Sequence, residues 1–373
     1  MPLRLVSLIR PDATLELFLE EIAMPRPERP DEVVLRMEAA PVNPSDLNLL
    51  LGGADPGRAR LAGTAGRPVV TAPVPPAVMQ ARAGRVGLPL PVGNEGAGTV
   101  VAAGEAPEAQ ALVGRRVAAL GGGMYAQYRA VPAAQCLLLP EGASAAEGAS
   151  CFINPLTALG MVETMRREGH GALLHTVGAS NLGQMLHRLC MQEGIPLVSL
   201  VRRPEQAELL RRQGARHVVD RSEPAFGSLL VDALAETGAR LAFDATGGGR
   251  LAGEVIAAME AALLRRGGRP YDPYGSQVHK QVYVYGYLER GPIELPAGLG
   301  MAWGIGGWLL FPFMQQTGAQ RLAQLKQRVA DGLSTTFASR YVRELDIGQL
   351  LNPEALQACA RMGSSEKTLL RLG

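Results

Sequence analysis

The stretch Ala172-Leu-Leu-His-Thr-Val-Gly-Ala-Ser-Asn-Leu-Gly183 decides how this chain is read. It has the form of a short apolar strand, a tight turn and the start of a helix that continues through Gln184-Met-Leu-His-Arg-Leu-Cys190. Residues 195–201 read as the next strand, and Arg202 and Arg203 follow it directly. Together these segments make a βαβ unit whose turn offers backbone N–H groups at a helix N-terminus to a pyrophosphate. What stands after the second strand selects the dinucleotide. A carboxylate there binds a ribose 2′-hydroxyl, whereas two guanidinium groups offer bidentate hydrogen bonds to a 2′-phosphate. The unit is therefore expected to take NADP(H) rather than NAD(H). The glycines alone are a weak signal, since only Gly178 and Gly183 frame the turn, with Ser180 and Asn181 where glycine is common. A plain strand-to-helix turn, with Arg203 capping a solvated loop before Pro204, is the other reading of the same residues.

The chain has 373 residues, 47% of them apolar, enough for two domains with sizeable cores. Its 37 basic and 35 acidic residues leave a net charge of +2, which argues against nucleic acid or a membrane surface as the main partner. Arginine pairs recur at 115–116, 166–167, 211–212 and 265–266, so the pair at 202–203 stands out only by its place after a strand. The four cysteines (Cys136, Cys151, Cys190, Cys359) are widely spaced and form no C-x-x-C, the pattern of reduced thiols in a cytoplasmic protein. Met1 to Arg10 lacks the charged-then-apolar order of a secretory signal and reads as a first strand. The uncharged run 301–314 is too short to span a bilayer and is expected to be buried or subunit-facing.

Residues up to about 140 read as β-rich, with half-buried strands near 32–41, 97–104 and 116–120. Between them, 52–90 is rich in Gly, Pro, Ala and Arg without sustained periodicity and reads as a long loop. From Ser144 the rhythm changes. A helical stretch over 145–168, interrupted near Asn154-Pro155, leads into strands at 172–176, 195–201, 217–220, 241–245 and 281–285, with helices between them. Strands alternating with helices in this way make a doubly wound parallel sheet. A helix at 319–331 and short strands near Tyr341 then return the chain to its first domain. The expected domains are 1–142, completed by about 318–373, and 143–317.

Five segments carry a resemblance: Pro41-Val-Asn-Pro-Ser-Asp-Leu-Asn48, Gly93-Asn-Glu-Gly-Ala-Gly98, Gly123-Met-Tyr-Ala-Gln-Tyr128, Asn154-Pro-Leu-Thr-Ala158 and Ala179-Ser-Asn-Leu-Gly-Gln184. In this order they resemble the medium-chain dehydrogenase/reductase superfamily, and within it the zinc-independent branch of quinone oxidoreductases and 2-enoyl thioester reductases. The resemblance implies an α/β protein with a Rossmann domain and a β-rich GroES-like catalytic domain. It implies cofactor contacts from Asn154, Thr157, Gly178, Ser180, Asn181, Leu182, Gly183, Arg202, Arg203, Thr246, Tyr285, Gly286 and Lys367. Zinc-dependent relatives hold a catalytic metal with a cysteine and a histidine; here those positions are Asn43 and Asn94, poor ligands beside thiolate and imidazole. Glu95 alone cannot hold the ion, and the cysteine cluster of the structural zinc site is missing, so metal-free chemistry is expected.

Hydride transfer without a metal requires an electron-poor acceptor, such as a quinone or an α,β-unsaturated carbonyl, and a group that stabilises the charge developing on its oxygen. By resemblance Asn43 lies near the nicotinamide, where its amide could donate to that oxygen; a turn residue before Pro44 is the alternative. Asn48 is expected to line the substrate pocket, and Asp46 to orient the following helix. Of Tyr125 and Tyr128, three residues apart, one is expected in the core (Tyr128) and one in the pocket as a proton donor (Tyr125). Enoyl thioester reductases of this branch carry a donor tyrosine soon after the Asn-Pro-Ser-Asp segment, whereas this chain reads Leu51-Gly-Gly-Ala-Asp-Pro56 there. That departure favours a quinone or enone as substrate over a 2-enoyl thioester. A non-catalytic NADPH-binding protein is the reading from another class. His175 reads as a packed core histidine, and the apolar run after the last cofactor-domain strand suggests a homodimer.

Overall fold

The computed structural model describes residues 1–64, 66–266, 272–289, 291–361 and 367–373, with Arg266 described by its backbone. The chain divides into two units, 1–153 with 326–373, and 154–325. Both boundaries fall inside helices, at 153/154 and 325/326, where 142/143 and about 317/318 were expected.

In the first unit, β1 (Leu3–Ile9), β2 (Thr14–Glu21), β4 (Arg60–Thr64), β5 (Arg67–Pro73) and β6 (Leu90–Pro91) form a sheet in the order β4-β5-β2-β1-β6. A second sheet runs β10-β8-β7-β3-β18-β17, from Cys136–Leu138 (β10), Arg116–Leu120 (β8), Glu95–Ala103 (β7), Glu32–Val42 (β3), Thr368–Arg371 (β18) and Arg343–Asp346 (β17). β9 (Tyr128–Pro132) also pairs with β3. Alternation with period two buries Leu15 and Leu17 of β2 against Leu5 and Ile9 of β1, and Val33, Leu35 and Met37 of β3 join the same core. Helices here are short: α1 (Pro44–Leu51), α2 (Pro76–Ala81), α3 (Pro107–Gln110), α4 (Ala145–Gly148) and, late in the chain, α12 (Pro353–Arg361).

The segment 52–90 is not the loop its composition suggests. It holds β4, β5, α2 and two single turns of 3₁₀ helix, and β5 pairs antiparallel with β2 from Phe18↔Val69 to Thr14↔Pro73. The β-branched run Val69-Val-Thr71 supplies the strand, and Val70 is fully buried in the core. Gly63 takes φ +80°, where an added Cβ would lie 2.4 Å from the carbonyl oxygen of Arg67, so the hairpin end needs glycine.

In the second unit six parallel strands run β13-β12-β11-β14-β15-β16, from His217–Asp220 (β13), Leu197–Val201 (β12), Leu173–His175 (β11), Leu241–Asp244 (β14), Lys280–Val284 (β15) and Trp303–Gly307 (β16). Numbered within the unit this is the order 3-2-1-4-5-6 of a dinucleotide-binding sheet, whose direction reverses between β11 and β14. Between these strands lie α6 (Asn181–Glu193), α7 (Pro204–Arg212), α8 (Phe226–Thr237) and α9 (Leu251–Arg266). α5 (Ile153–Arg167) precedes the sheet, and α10 (Leu310–Thr317) and α11 (Ala319–Asp331) follow it. The helical break expected at Asn154-Pro155 lies at 149–152 instead; Pro155 sits in the first turn of α5, where a missing N–H costs no helical bond. The uncharged run 301–314 supplies the sixth strand. Within it Trp308 is buried and donates its indole N–H to Thr164 Oγ1 at 3.1 Å, while Met301, Leu309 and Phe311 are exposed. Among the described residues no helix is long and apolar enough to cross a membrane.

Candidate functional site

The polar centre of the first unit is assembled where β3 ends and α1 begins. Pro44 at the first helical position presets the backbone, and Asn43 stands at the N-cap. The Asp46 carboxylate reaches back to accept from Asn43 N (2.8 Å) and from Asn94 N (2.8 Å), tying the helix to the chain entering β7. Glu95, at the head of β7, accepts from Asn43 Nδ2 at 2.9 Å through one oxygen. Its other oxygen accepts from Phe152 N and Ile153 N, both at 2.9 Å. Asp46 and Glu95 have no exposure, and Lys367 is buried beside them.

Three ionisable groups thus share one dry volume. Burial pushes the Asp46 carboxyl up to about 7, with the charge of Glu95 adding to the shift. Burial also raises Glu95, opposed chiefly by the Lys367 ammonium. Lys367 in turn is lowered to about 8 by burial, with Glu95 and Asp46 favouring its charged form. Among the described residues Lys367 Nζ and Asn43 Oδ1 are buried without a hydrogen-bond partner. No group of three or more His, Cys, Asp or Glu side chains is placed to hold a metal ion among those residues. Asn94 donates from Nδ2 to Ser45 Oγ at 3.0 Å, and Asn48, on the exposed side of α1, accepts from Arg82 Nη2 at 2.6 Å.

Neither tyrosine takes the place expected of it. Tyr125 lies in the loop before β9, fully buried, and its hydroxyl donates to the Pro41 carbonyl at 2.8 Å. Burial raises its pKa well above the ordinary phenol value, with Asp46 and Glu95 adding to the shift. A phenol so held is a core anchor and not a pocket proton donor. Tyr128, expected in the core, opens β9 half-buried.

In the second unit the turn after β11 leads into α6. Ser180 caps that helix, its Oγ accepting from Gly183 N at 2.9 Å. Both framing glycines are required by close contact. A Cβ on Gly183 would lie 2.3 Å from Gly178 O, and one on Gly178 would lie 2.7 Å from Ser199 Cβ on β12. Asn181, Leu182 and Gly183 form the first turn of α6. Arg202 and Arg203 follow β12 with exposed side chains, and neither forms an ion pair among the described residues. Arg202 N donates to Gln206 Oε1 at 3.1 Å.

Across the reversal point, Asp244 ends β14 and organises the turn beside it. Its carboxylate accepts from Thr176 Oγ1 (2.9 Å), from Thr246 N (2.9 Å) and Oγ1 (2.7 Å), and from Gly247 N (3.2 Å). Thr246 therefore serves this turn with its hydroxyl. A Cβ on Gly247 would approach Gly286 O to 2.3 Å, so the turns after β14 and β15 touch through backbone. The Tyr285 hydroxyl is 2.6 Å from His175 Nε2 and the rings stack at 5.7 Å, so this side chain faces inward and leaves its backbone for any ligand. Burial lowers His175 to about 3, which keeps the imidazole neutral. Asn154 and Thr157 lie in the first turns of α5, Asn154 half-buried and Thr157 buried. Sequence reading missed Thr176, Ser199 and the His175–Tyr285 pair as shapers of this unit, because each acts through a partner on another strand.

The residues around the α6 turn fit a dinucleotide. The glycine contacts leave no room for a side chain at the turn, a capped helix begins directly after it, and free guanidinium groups stand at the end of the neighbouring strand.

Comparison with known proteins gives a consistent picture. Residues 29–141 match the alcohol dehydrogenase GroES-like domain. Over 147 residues, 37% of this chain and 36% of that protein, the sequence is 35% identical to the synaptic vesicle membrane protein VAT-1 homolog of Rattus norvegicus. The matched stretch thus spans about a third of that relative's length. Over 139 residues, 36% of this chain, it is 30% identical to a quinone oxidoreductase of Pseudomonas aeruginosa, of which it covers 42%. A crystal structure of a candidate NADPH:quinone reductase from Mesorhizobium loti superimposes with a TM-score of 0.72 at 26% identity, covering 99% of this chain and 98% of that one.

Proposed function

Because the chain belongs to the medium-chain dehydrogenase/reductase superfamily, we propose that it is an NADPH-dependent oxidoreductase reducing quinones or α,β-unsaturated carbonyl compounds without zinc. The observation that carries this reading is the pair Arg202–Arg203, exposed and without ion-pair partners among the described residues, at the end of β12 beside the Gly178–Gly183 turn. NADPH, when bound, supplies the hydride. The α6 N-terminus and its turn hold the pyrophosphate, and the two arginines take the 2′-phosphate. The backbone at Tyr285 and Gly286, with Asn154 and Thr157, would orient the nicotinamide end.

Asn43 uses one amide N–H on Glu95 and keeps a second for the acceptor oxygen, where negative charge develops. Two asparagines at the positions where relatives carry a cysteine and a histidine support the metal-free form of the reaction. Asn48 lines the acceptor's approach along α1. The protein acts in the cytoplasm, as a homodimer that covers the exposed Met301, Leu309 and Phe311 beside β16.

A fluorescence titration with NADPH and NADH tests the cofactor, and NADPH oxidation against a naphthoquinone, an enone and a crotonyl thioester tests the acceptor. Arg202→Ala with Arg203→Ala should weaken NADPH about 10- to 100-fold and leave NADH unchanged. A preference for NADH in the native protein would refute the cofactor reading. Fastest turnover of the crotonyl thioester would move the assignment to a 2-enoyl thioester reductase. Tight NADPH binding with no turnover would leave a binding protein.

A further inference from the structure

Arg85 is nine-tenths buried, yet among the described residues its Nε and Nη1 have no hydrogen-bond partner. Its Nη2 donates to Ser7 Oγ at 2.5 Å, and the Ser7 hydroxyl in turn donates to Leu50 O at 2.7 Å, at the C-terminal end of α1. That helix end offers the guanidinium a partial negative charge, and Gly52 as its cap makes the approach possible: a Cβ there would lie 3.0 Å from Arg85 Nη1. Half a charge at a helix terminus does not neutralise a buried cation, and no carboxylate pairs with Arg85 or Arg82 among the described residues. Instead the charge that acts on Arg85 is a second cation, Arg82; burial first, and that repulsion second, lower Arg85 to about 10. A buried cation beside another cation is a costly arrangement unless an anion arrives to complete it.

The surroundings say from which side it would arrive. Arg82 is half-buried and donates to Asn48 Oδ1, and Asn48 is exposed on α1. One helical turn earlier on the same face, Ser45 accepts from Asn94. A polar track therefore runs along α1 from Asn94 and Ser45, next to Asn43, to Asn48, Arg82 and Arg85. We propose that Arg82 and Arg85 form an anion subsite for the acceptor, which selects substrates carrying a carboxylate or phosphate group one to two helical turns from the reducible double bond. This rests on the reductase reading above for the identity of the ligand, but not for the existence of the anion site.

The test pairs two measurements. In the first, NADPH oxidation is followed with an enone bearing a terminal carboxylate on an alkyl chain and with its methyl ester. The acid should exceed the ester about tenfold or more in kcat/KM, through KM, and Arg82→Gln should bring the ratio close to one. Equal values for acid and ester in the native enzyme, or a ratio that Arg82→Gln leaves intact, would overturn the proposal. In the second, thermal unfolding with NADPH saturating is compared in chloride and in inorganic phosphate at equal ionic strength. Phosphate should raise Tm by about 2 °C or more in the native protein and not in Arg82→Gln or Arg85→Gln. No phosphate-dependent rise in the native protein would sink the anion site, whatever the acceptor assay gives. A rise that depends on both arginines, with no turnover of any acceptor, would keep the site and reject the reductase.

Discussion

Asp46 accepts two backbone N–H groups in a volume it shares with Glu95 and Lys367, and its proton affinity follows from that setting. Raised by burial to about 7, against 3.8 for an unperturbed carboxyl, the group favours its neutral form in the folded state. Its contribution to stability is therefore full below the unfolded pKa and is lost as pH rises through about 7. Asp46→Asn cannot ionise, and its one amide oxygen cannot serve both N–H groups without turning its NH₂ toward one of them. Urea denaturation should show a loss of about 1–3 kcal/mol at pH 5 and a smaller loss at pH 8, where native Asp46 bears the cost of ionisation. An equal loss at both would mean that Asp46 titrates normally. At this scale the turn framed by Gly178 and Gly183 was legible because adjacent residues shape it. Sequence reading misses contacts between distant ones: Glu95 finds Phe152 and Ile153, and His175 finds Tyr285 more than a hundred positions away. It also misplaced Tyr125, which is core and lies in a loop, where the alternation rule for strands does not apply, and it buried Tyr128 more deeply than the half-buried place it has.

At the scale of elements, the alternating strands and helices of 172–284 were legible because most strands carry a short apolar run and most helices are bounded by Gly, Pro or Ser. The hairpin of β4 and β5 was not, since every residue of β4 is exposed and only Val70 and Ala72 of β5 are buried, too short a signal for periodicity. Two predictions belong here. β7 crosses β3 so closely at Gly98 that a Cβ would fall 2.1 Å from Arg36 O, backbone that cannot move without opening the ladder. Gly98→Ala should cost about 3 kcal/mol or more, read as a lowered urea midpoint. In the other unit, Lys280 on β15 donates to Glu260 on α9, both buried, and Ser276 Oγ donates to the same carboxylate at 2.5 Å. Lys280→Ala should cost about 3–5 kcal/mol by stranding the carboxylate, while Lys280→Met with Glu260→Leu should recover most of that loss. A double variant as unstable as the single one would show that packing, and not charge, sets the cost.

For the whole molecule, the question is what meets the edge of the parallel sheet. β16 is its last strand, and the exposed Met301, Leu309 and Phe311 flank it. Edge strands beside apolar surface are commonly covered by a second copy of the chain. Sedimentation at micromolar concentration should give a dimer, and Phe311→Asp should shift it toward monomer with unfolding otherwise unchanged. A native protein that sediments as a monomer would contradict this.

The strand β18 has a consequence for how the chain comes to be folded. Residues 368–371 lie between β3 and β17, pairing with 39–42 across more than three hundred positions of sequence. During synthesis the contiguous 154–325 can collapse as soon as it emerges, while residues 39–42 of β3, beyond the stretch 32–36 that β9 pairs, wait for β18 until it leaves the ribosome. Extensions or cuts placed close to 368–371 would therefore act on a latch in the middle of a sheet, and a shortened chain would expose β3 as a sticky seam for aggregation.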